Sequence, residues 1–260
     1  MDSILVYTAL CVSAFLAGAV NAIAGGGTLL TFPALLAVLS PVMANGTSTI
    51  ALVPGSLASA WGYRQDVQHP PRLLWWLFAP SLVGGLIGTV LVTRTDESYF
   101  TMAVPWLILL ASALFSLQPL VARMTKSQSV PKASDHTQRQ LAMLACAQFF
   151  VGIYGGYFGA GIGILMLSAL AYMGLRDVHE MNALKTLLAV IMNGVAAVWF
   201  TMEGKVNWTY AIPMAISAIA GGYIGARLSL RFPSASVRKV VIAIGFTLSA
   251  FYFYKLYIKR

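Results

Sequence analysis

Charge is scarce in this chain. Of its 260 residues only 10% are Asp, Glu, Lys or Arg, while 58% are hydrophobic and the mean hydropathy is +0.77. A soluble domain carries about 25% charged residues, so the composition excludes an ordinary water-soluble globule. Carboxylates are the rarest charges. Asp2, Asp66, Asp96, Glu97, Asp135, Asp177, Glu180 and Glu203 are the full set, and each sits between apolar blocks or at the end of one. Carriers coupled to protons or sodium often place a carboxylate inside the membrane. Its lack weakens a cationic substrate or a carboxylate relay and favours an anionic substrate. Cysteine is almost missing: Cys11 and Cys146 both lie in apolar blocks and form neither a disulfide framework nor a metal site. The three histidines, His69, His136 and His179, fall in loops with no metal-ligand spacing. There is no G-x-x-x-x-G-K-[ST] loop, so this chain is not expected to consume ATP. No cofactor is expected. The N-terminus has Asp2 and no basic n-region, so a cleaved signal peptide is not expected either.

What the chain has in quantity is long apolar blocks. They run at 4–24, 28–40, 45–62, 72–92 and 98–120, and again at 138–158, 160–174, 179–202, 208–229 and 236–256. A membrane-spanning helix needs roughly 20 apolar residues. Blocks 28–40 and 160–174 are too short for that and fit half-membrane or re-entrant helices. A polar stretch containing Lys126, Pro131, Lys132 and Asp135 divides the two series. The expected organisation is a first transmembrane repeat at 1–120, a cytoplasmic linker at 121–137 and a second repeat at 138–260. The net charge of +9 comes from basic residues in short loops, where positive charge orients a membrane protein rather than binding nucleic acid. If every block reverses the side, twelve basic residues share one side and five the other, which marks the richer side as cytoplasmic.

The two halves repeat. At an offset of 137, Asn45 meets Asn182, Ser48 meets Lys185, Thr49 meets Thr186, Ser56 meets Asn193 and the run 84–88 (GGLIG) meets 221–225 (GGYIG). At 134, Gly18, Gly25 and Gly27 meet Gly152, Gly159 and Gly161. An odd number of blocks per half inserts the second copy upside down, giving an inverted-topology repeat. The fold class is an all-α polytopic membrane protein with two inverted repeats of about five segments, eight to ten in all.

In such folds substrate sits at mid-depth, where interrupted segments of the two copies meet. Here the interruptions are Asn21 with Gly25, Gly26, Gly27 and Thr28, and the run 155–163 (GGYFGAGIG) containing Gly159 and Gly161. Glycine breaks leave amides open at the start of the next helix, where anions bind. The alternative is close helix packing through small residues, which suits Gly84, Gly85, Gly221 and Gly222 better. A second group opens the third block of each half: Asn45, Thr47 and Ser48, and Asn182, Lys185 and Thr186. Their amides and hydroxyls can replace part of an anion's hydration. Lys185 is expected either to meet an anionic partner (Asp177, Glu180 or bound substrate) or to snorkel to the interface. Asn193, deeper in the block, is a site residue or a helix bridge. The tryptophans mostly fall near block ends, as an interfacial aromatic belt would place them.

The run 17–35 (AGAVNAIAGGGTLLTFPAL) resembles the opening motif of the sulfite exporter TauE/SafE family, also called the toluene sulfonate uptake permease family. The run 45–48 (NGTS) resembles its next motif, and 204–208 (GKVNW) with 221–228 (GGYIGARL) its second-half signature. The first-half loop 64–70 (RQDVQHP) departs from the GKVNW pattern. The resemblance implies a multi-pass transporter of the bacterial or archaeal cytoplasmic membrane, not an enzyme. It implies movement of sulfur-containing anions such as sulfite, sulfoacetate or other organosulfonates, but neither one substrate nor one direction; export is the reading taken forward. An anion channel and an uptake carrier for organosulfonates or other small organic anions are the alternatives. The expected partners are a small sulfur-containing anion and the lipid bilayer, with a homo-oligomer left open.

Overall fold

The computed structural model describes residues 3–64, 72–126, 138–172, 178–228 and 234–258. Most of the expected linker, 127–137, lies outside them, as do Asp2, Asp66, His69, Asp135, His136 and Asp177. The described residues form ten helices and no strand: α1 (Ser3–Ile23), α2 (Thr28–Leu36), α3 (Pro41–Gly62), α4 (Arg72–Arg94), α5 (Glu97–Lys126), α6 (Gln138–Tyr157), α7 (Ile162–Tyr172), α8 (Val178–Met202), α9 (Trp208–Leu228) and α10 (Ser234–Phe253), followed by a π turn at Tyr254–Ile258. Six of them are long and apolar enough to cross a bilayer. The chain is an all-α polytopic membrane protein.

The second helix of each half is short. α2 has 9 residues and α7 has 11, and at 1.5 Å per residue each covers about half of a ~30 Å hydrocarbon core. Both follow glycine breaks. Gly25 and Gly159, one repeat offset apart, take φ of 77° and 79°. That left-handed region disfavours side chains by about 1–2 kcal/mol, which explains glycine at both corners. The third helix begins earlier than its apolar block: Ser40 is extended and Pro41 occupies the first helical turn, a position suited to its fixed φ.

The halves pack reciprocally. α1 lies on α9 as α6 lies on α4, α3 lies on α9 as α8 lies on α4, and α3 meets α8 and α5 meets α10 across the centre. Glycine permits the closest approaches. A Cβ at Gly84 on α4 would run into the carbonyl of Phe149 on α6, and one at Gly221 on α9 would run into that of Phe15 on α1. Phe149 and Phe15 are themselves 134 apart, so the same contact is made twice. Around α2 the core is aromatic. Phe32 packs edge-on against Phe158 at 5.1 Å and Phe100 at 6.4 Å. A second cluster joins α6, α7 and α8 through Leu144, Met166, Leu188 and Met192. Outward faces carry apolar side chains suited to lipid, with Trp61, Trp75, Trp106 and Trp208 all exposed.

Candidate functional site

A small pocket, partly open to solvent, lies where the two glycine breaks meet α3 and α8. Its walls come in repeat pairs: Thr49 with Thr186, Ser56 with Asn193, Leu52 with Ala189, Gly25 with Gly159 and Thr28 with Ile162. α2 and α7 both start at this pocket. Among the described residues no acceptor meets the amides of Gly27 and Thr28 at the head of α2, or of Ile162 and Gly163 at the head of α7. The first amides of a helix are unpaired by geometry and carry partial positive charge. Two such ends converging on one hollow suit an anion.

Lys185 breaks the pairing. It lines the pocket and is 2% exposed. Its ammonium donates to the carbonyls of Asn21 at 3.3 Å and Ala22 at 3.2 Å, and to Oδ1 of Asn182 at 3.0 Å. All three acceptors are neutral. No carboxylate of the described residues pairs with it, and it does not reach an interface. The two carbonyls close the C-terminal end of α1, where helix dipoles favour a cation. That end therefore offsets part of the lysine's desolvation without neutralising its charge.

Asn21 holds the first break in shape. Its Oδ1 accepts the Gly26 amide at 3.2 Å, its Nδ2 donates to Ser56 Oγ at 3.2 Å, and its carbonyl receives Lys185. The amides of Gly26 and Gly159 are thus engaged, the latter with the Tyr154 carbonyl at 3.2 Å. The open donors lie one to four residues further on. Of the expected site residues, the structure gathers Asn21, Thr28, Gly159, Lys185, Thr186 and Asn193 around the pocket. Asn193 is half-buried, and its side chain makes no hydrogen bond among the described residues.

The remaining expected residues stand outside this wall. Gly26 packs against the Phe115 ring, Gly27 against α1 and Gly161 against Ala111. Asn45 donates to the Tyr157 carbonyl at 2.9 Å, Thr47 accepts the Asn207 amide at 3.0 Å and Ser48 bonds Thr31 at 2.6 Å. Asn182 stands behind the wall, its Oδ1 accepting from Lys185 and its carbonyl from the Thr186 hydroxyl at 2.8 Å. The sequence reading missed Leu52, Ser59, Ala189 and Phe158 as wall residues. The 137 offset could have delivered Leu52 and Ala189, since both lie one turn below a polar pair.

The sulfite exporter TauE/SafE family model matches residues 10–252. Three relatives span nearly the whole chain. A probable membrane transporter protein of Haemophilus influenzae is 27% identical, covering 91% of this chain and 90% of its own. The probable membrane transporter protein YfcA of Escherichia coli K12 is 27% identical, covering 91% and 86%. The probable membrane transporter protein YunE of Bacillus subtilis is 24% identical, covering 92% and 96%.

Proposed function

The chain belongs to the sulfite exporter TauE/SafE family of membrane transporters, and from that premise we propose that it exports small sulfur-containing anions such as sulfite, sulfoacetate or related organosulfonates. The membrane is the cytoplasmic membrane of a bacterium or archaeon. The site is the pocket between the two breaks, and one observation carries the anionic substrate: the Lys185 ammonium is buried at the pocket wall with neutral oxygens as its only partners among the described residues. A buried charge without a counter-charge is costly, and a bound anion offsets that cost. Open amides at the heads of α2 and α7 supply directed donors from two sides. The sulfur in the substrate comes from family membership, and charge alone does not select it.

Residues 1–120 and 138–260 act as two oppositely inserted copies joined by the 121–137 linker. Rocking one against the other exposes the pocket alternately to each side. The glycine-mediated contacts made twice support this division. The test is counterflow of labelled sulfite in proteoliposomes. A carrier gives saturable flux that rises with unlabelled sulfite on the far side, whereas a channel gives neither property. Lys185→Ala lowers sulfite and sulfonate flux at least about tenfold, corresponding to the loss of one charge-assisted contact, and affects a neutral analogue less. Equal flux in the variant removes Lys185 from the site.

A further inference from the structure

Lys185 is held by three oxygens, the carbonyls of Asn21 and Ala22 and Oδ1 of Asn182. Each has a repeat counterpart: Gly155, Gly156 and Asn45. The lysine has none. Ser48 stands at its position, and the Ser48 hydroxyl turns to Thr31 at 2.6 Å. The counterpart oxygens are accordingly short of donors. Asn45 is 1% exposed; its Nδ2 donates to the Tyr157 carbonyl, and its Oδ1 is buried with no partner among the described residues. The Gly155 carbonyl loses its usual helical donor because the Gly159 amide goes to Tyr154 instead. Among the described residues the Gly156 carbonyl receives only a shared Thr89 hydroxyl at 3.2 Å, which also bonds the Gly85 carbonyl.

We propose that Asn45 Oδ1 and the carbonyls closing the C-terminal end of α6 bind a monovalent alkali cation, which does for the first half what the Lys185 ammonium does for the second. The chemistry fits a single positive charge. All the oxygens are neutral, and the end of α6 carries partial negative charge. Broken-helix ends and unwound carbonyls of this kind hold sodium in secondary transporters. A divalent ion draws on carboxylate ligands, and no carboxylate of the described residues bonds to Asn45 or to these carbonyls. The site adjoins the pocket. Gly159 lines the pocket, and a Cβ on it would stand 3.1 Å from the Gly155 carbonyl oxygen. A cation here would move together with the anion beside Lys185, which lets a cation gradient drive the anion. The inference rests on the repeat correspondence and is independent of the sulfur chemistry.

The experiment is thermal unfolding of the purified full chain, without sulfite, in sodium, potassium and choline chloride at one ionic strength. A saturable rise in the unfolding midpoint with sodium or with potassium over choline is expected, and the comparison of the two identifies the ion. Ser48→Lys supplies a tethered ammonium and weakens the apparent cation affinity at least about tenfold. Asn45→Asp adds a counter-charge and tightens it, so the two variants move in opposite directions without relying on a truncated side chain. No cation-specific rise in the parent protein overturns the proposal. So does a rise of equal midpoint and affinity in both variants, which places the ion elsewhere. Failure of sulfite counterflow leaves this outcome untouched.

Discussion

Tyr63 donates its hydroxyl to the Ala22 carbonyl at 3.1 Å, the same oxygen that Lys185 reaches. Tyr63→Phe leaves Lys185 as the remaining donor, so the cost is that of one neutral buried hydrogen bond, about 1 kcal/mol, read as a lowered unfolding midpoint in detergent with sulfite transport retained. A different control sits at the head of α5. Asp96 Oδ1 accepts the Ser98 amide at 2.9 Å and the Ser98 hydroxyl at 2.7 Å. These bonds, the backbone one foremost, hold its carboxyl below the usual carboxylate range. A depressed folded-state value stabilises the protein above the ordinary carboxylate range, and that contribution disappears as pH falls through the folded-state value. Asp96→Asn therefore flattens the acid limb of a melting-temperature profile while keeping a capping acceptor. An unchanged acid limb assigns that limb to other carboxylates. At this scale the sequence revealed residue types better than partners. Lys185 was visible as a basic residue at the head of an apolar block, with an anionic partner or an interface as the two expectations. Its actual acceptors include two main-chain carbonyls more than 160 positions away, and no side-chain pattern encodes a carbonyl.

The helices were legible because a bilayer imposes length and apolarity on each one. All ten blocks became helices, and both short blocks became the short helices behind the breaks. The misses have local causes. α2 stops at Leu36 although its block continues to 40, since apolarity alone does not mark a helix end. α3 starts at Pro41, ahead of its block, because Ser40 and Pro41 form a cap that hydropathy does not register. Helix faces were partly readable. Gly84, Gly85, Gly221 and Gly222 were assigned to packing, and each lies against another helix: Gly84 on α6 and Gly85 on α8, Gly221 on α1 and Gly222 on α3. This pairing predicts matched penalties. Gly84→Ala and Gly221→Ala each drive a methyl into a carbonyl of the facing helix, and overpacking of this sort costs about 1–3 kcal/mol. Melting in detergent should fall by similar amounts in both. A loss confined to one variant would show that the two contacts differ in weight.

Across the whole molecule, five helices per half and reciprocal packing bring the heads of α2 and α7 to one pocket. The spacing matched residues of the two halves, yet it did not mark the pocket itself, because spacing does not say which turn of α3 or α8 points inward. Thr49, Ser56 and their counterparts take that place, while Asn45, Thr47 and Ser48 on the same helix bond to the surrounding helices and loops. The asymmetry within the site has a larger result. Two identical copies would give a carrier whose two open states are equally favoured, and the ammonium on one copy is the one charged departure from that equivalence among the described residues of the pocket wall. Exchanging the two positions, Ser48→Lys together with Lys185→Ser, moves the charge to the other copy in an otherwise unchanged scaffold. The favoured resting state should then open toward the opposite compartment. A lone cysteine at Thr28, in a background lacking Cys11 and Cys146, would report this through a membrane-impermeant maleimide applied from either side. The resting bias of the molecule, as distinct from the direction of net flux set by the gradients, would thus follow the placement of one charge.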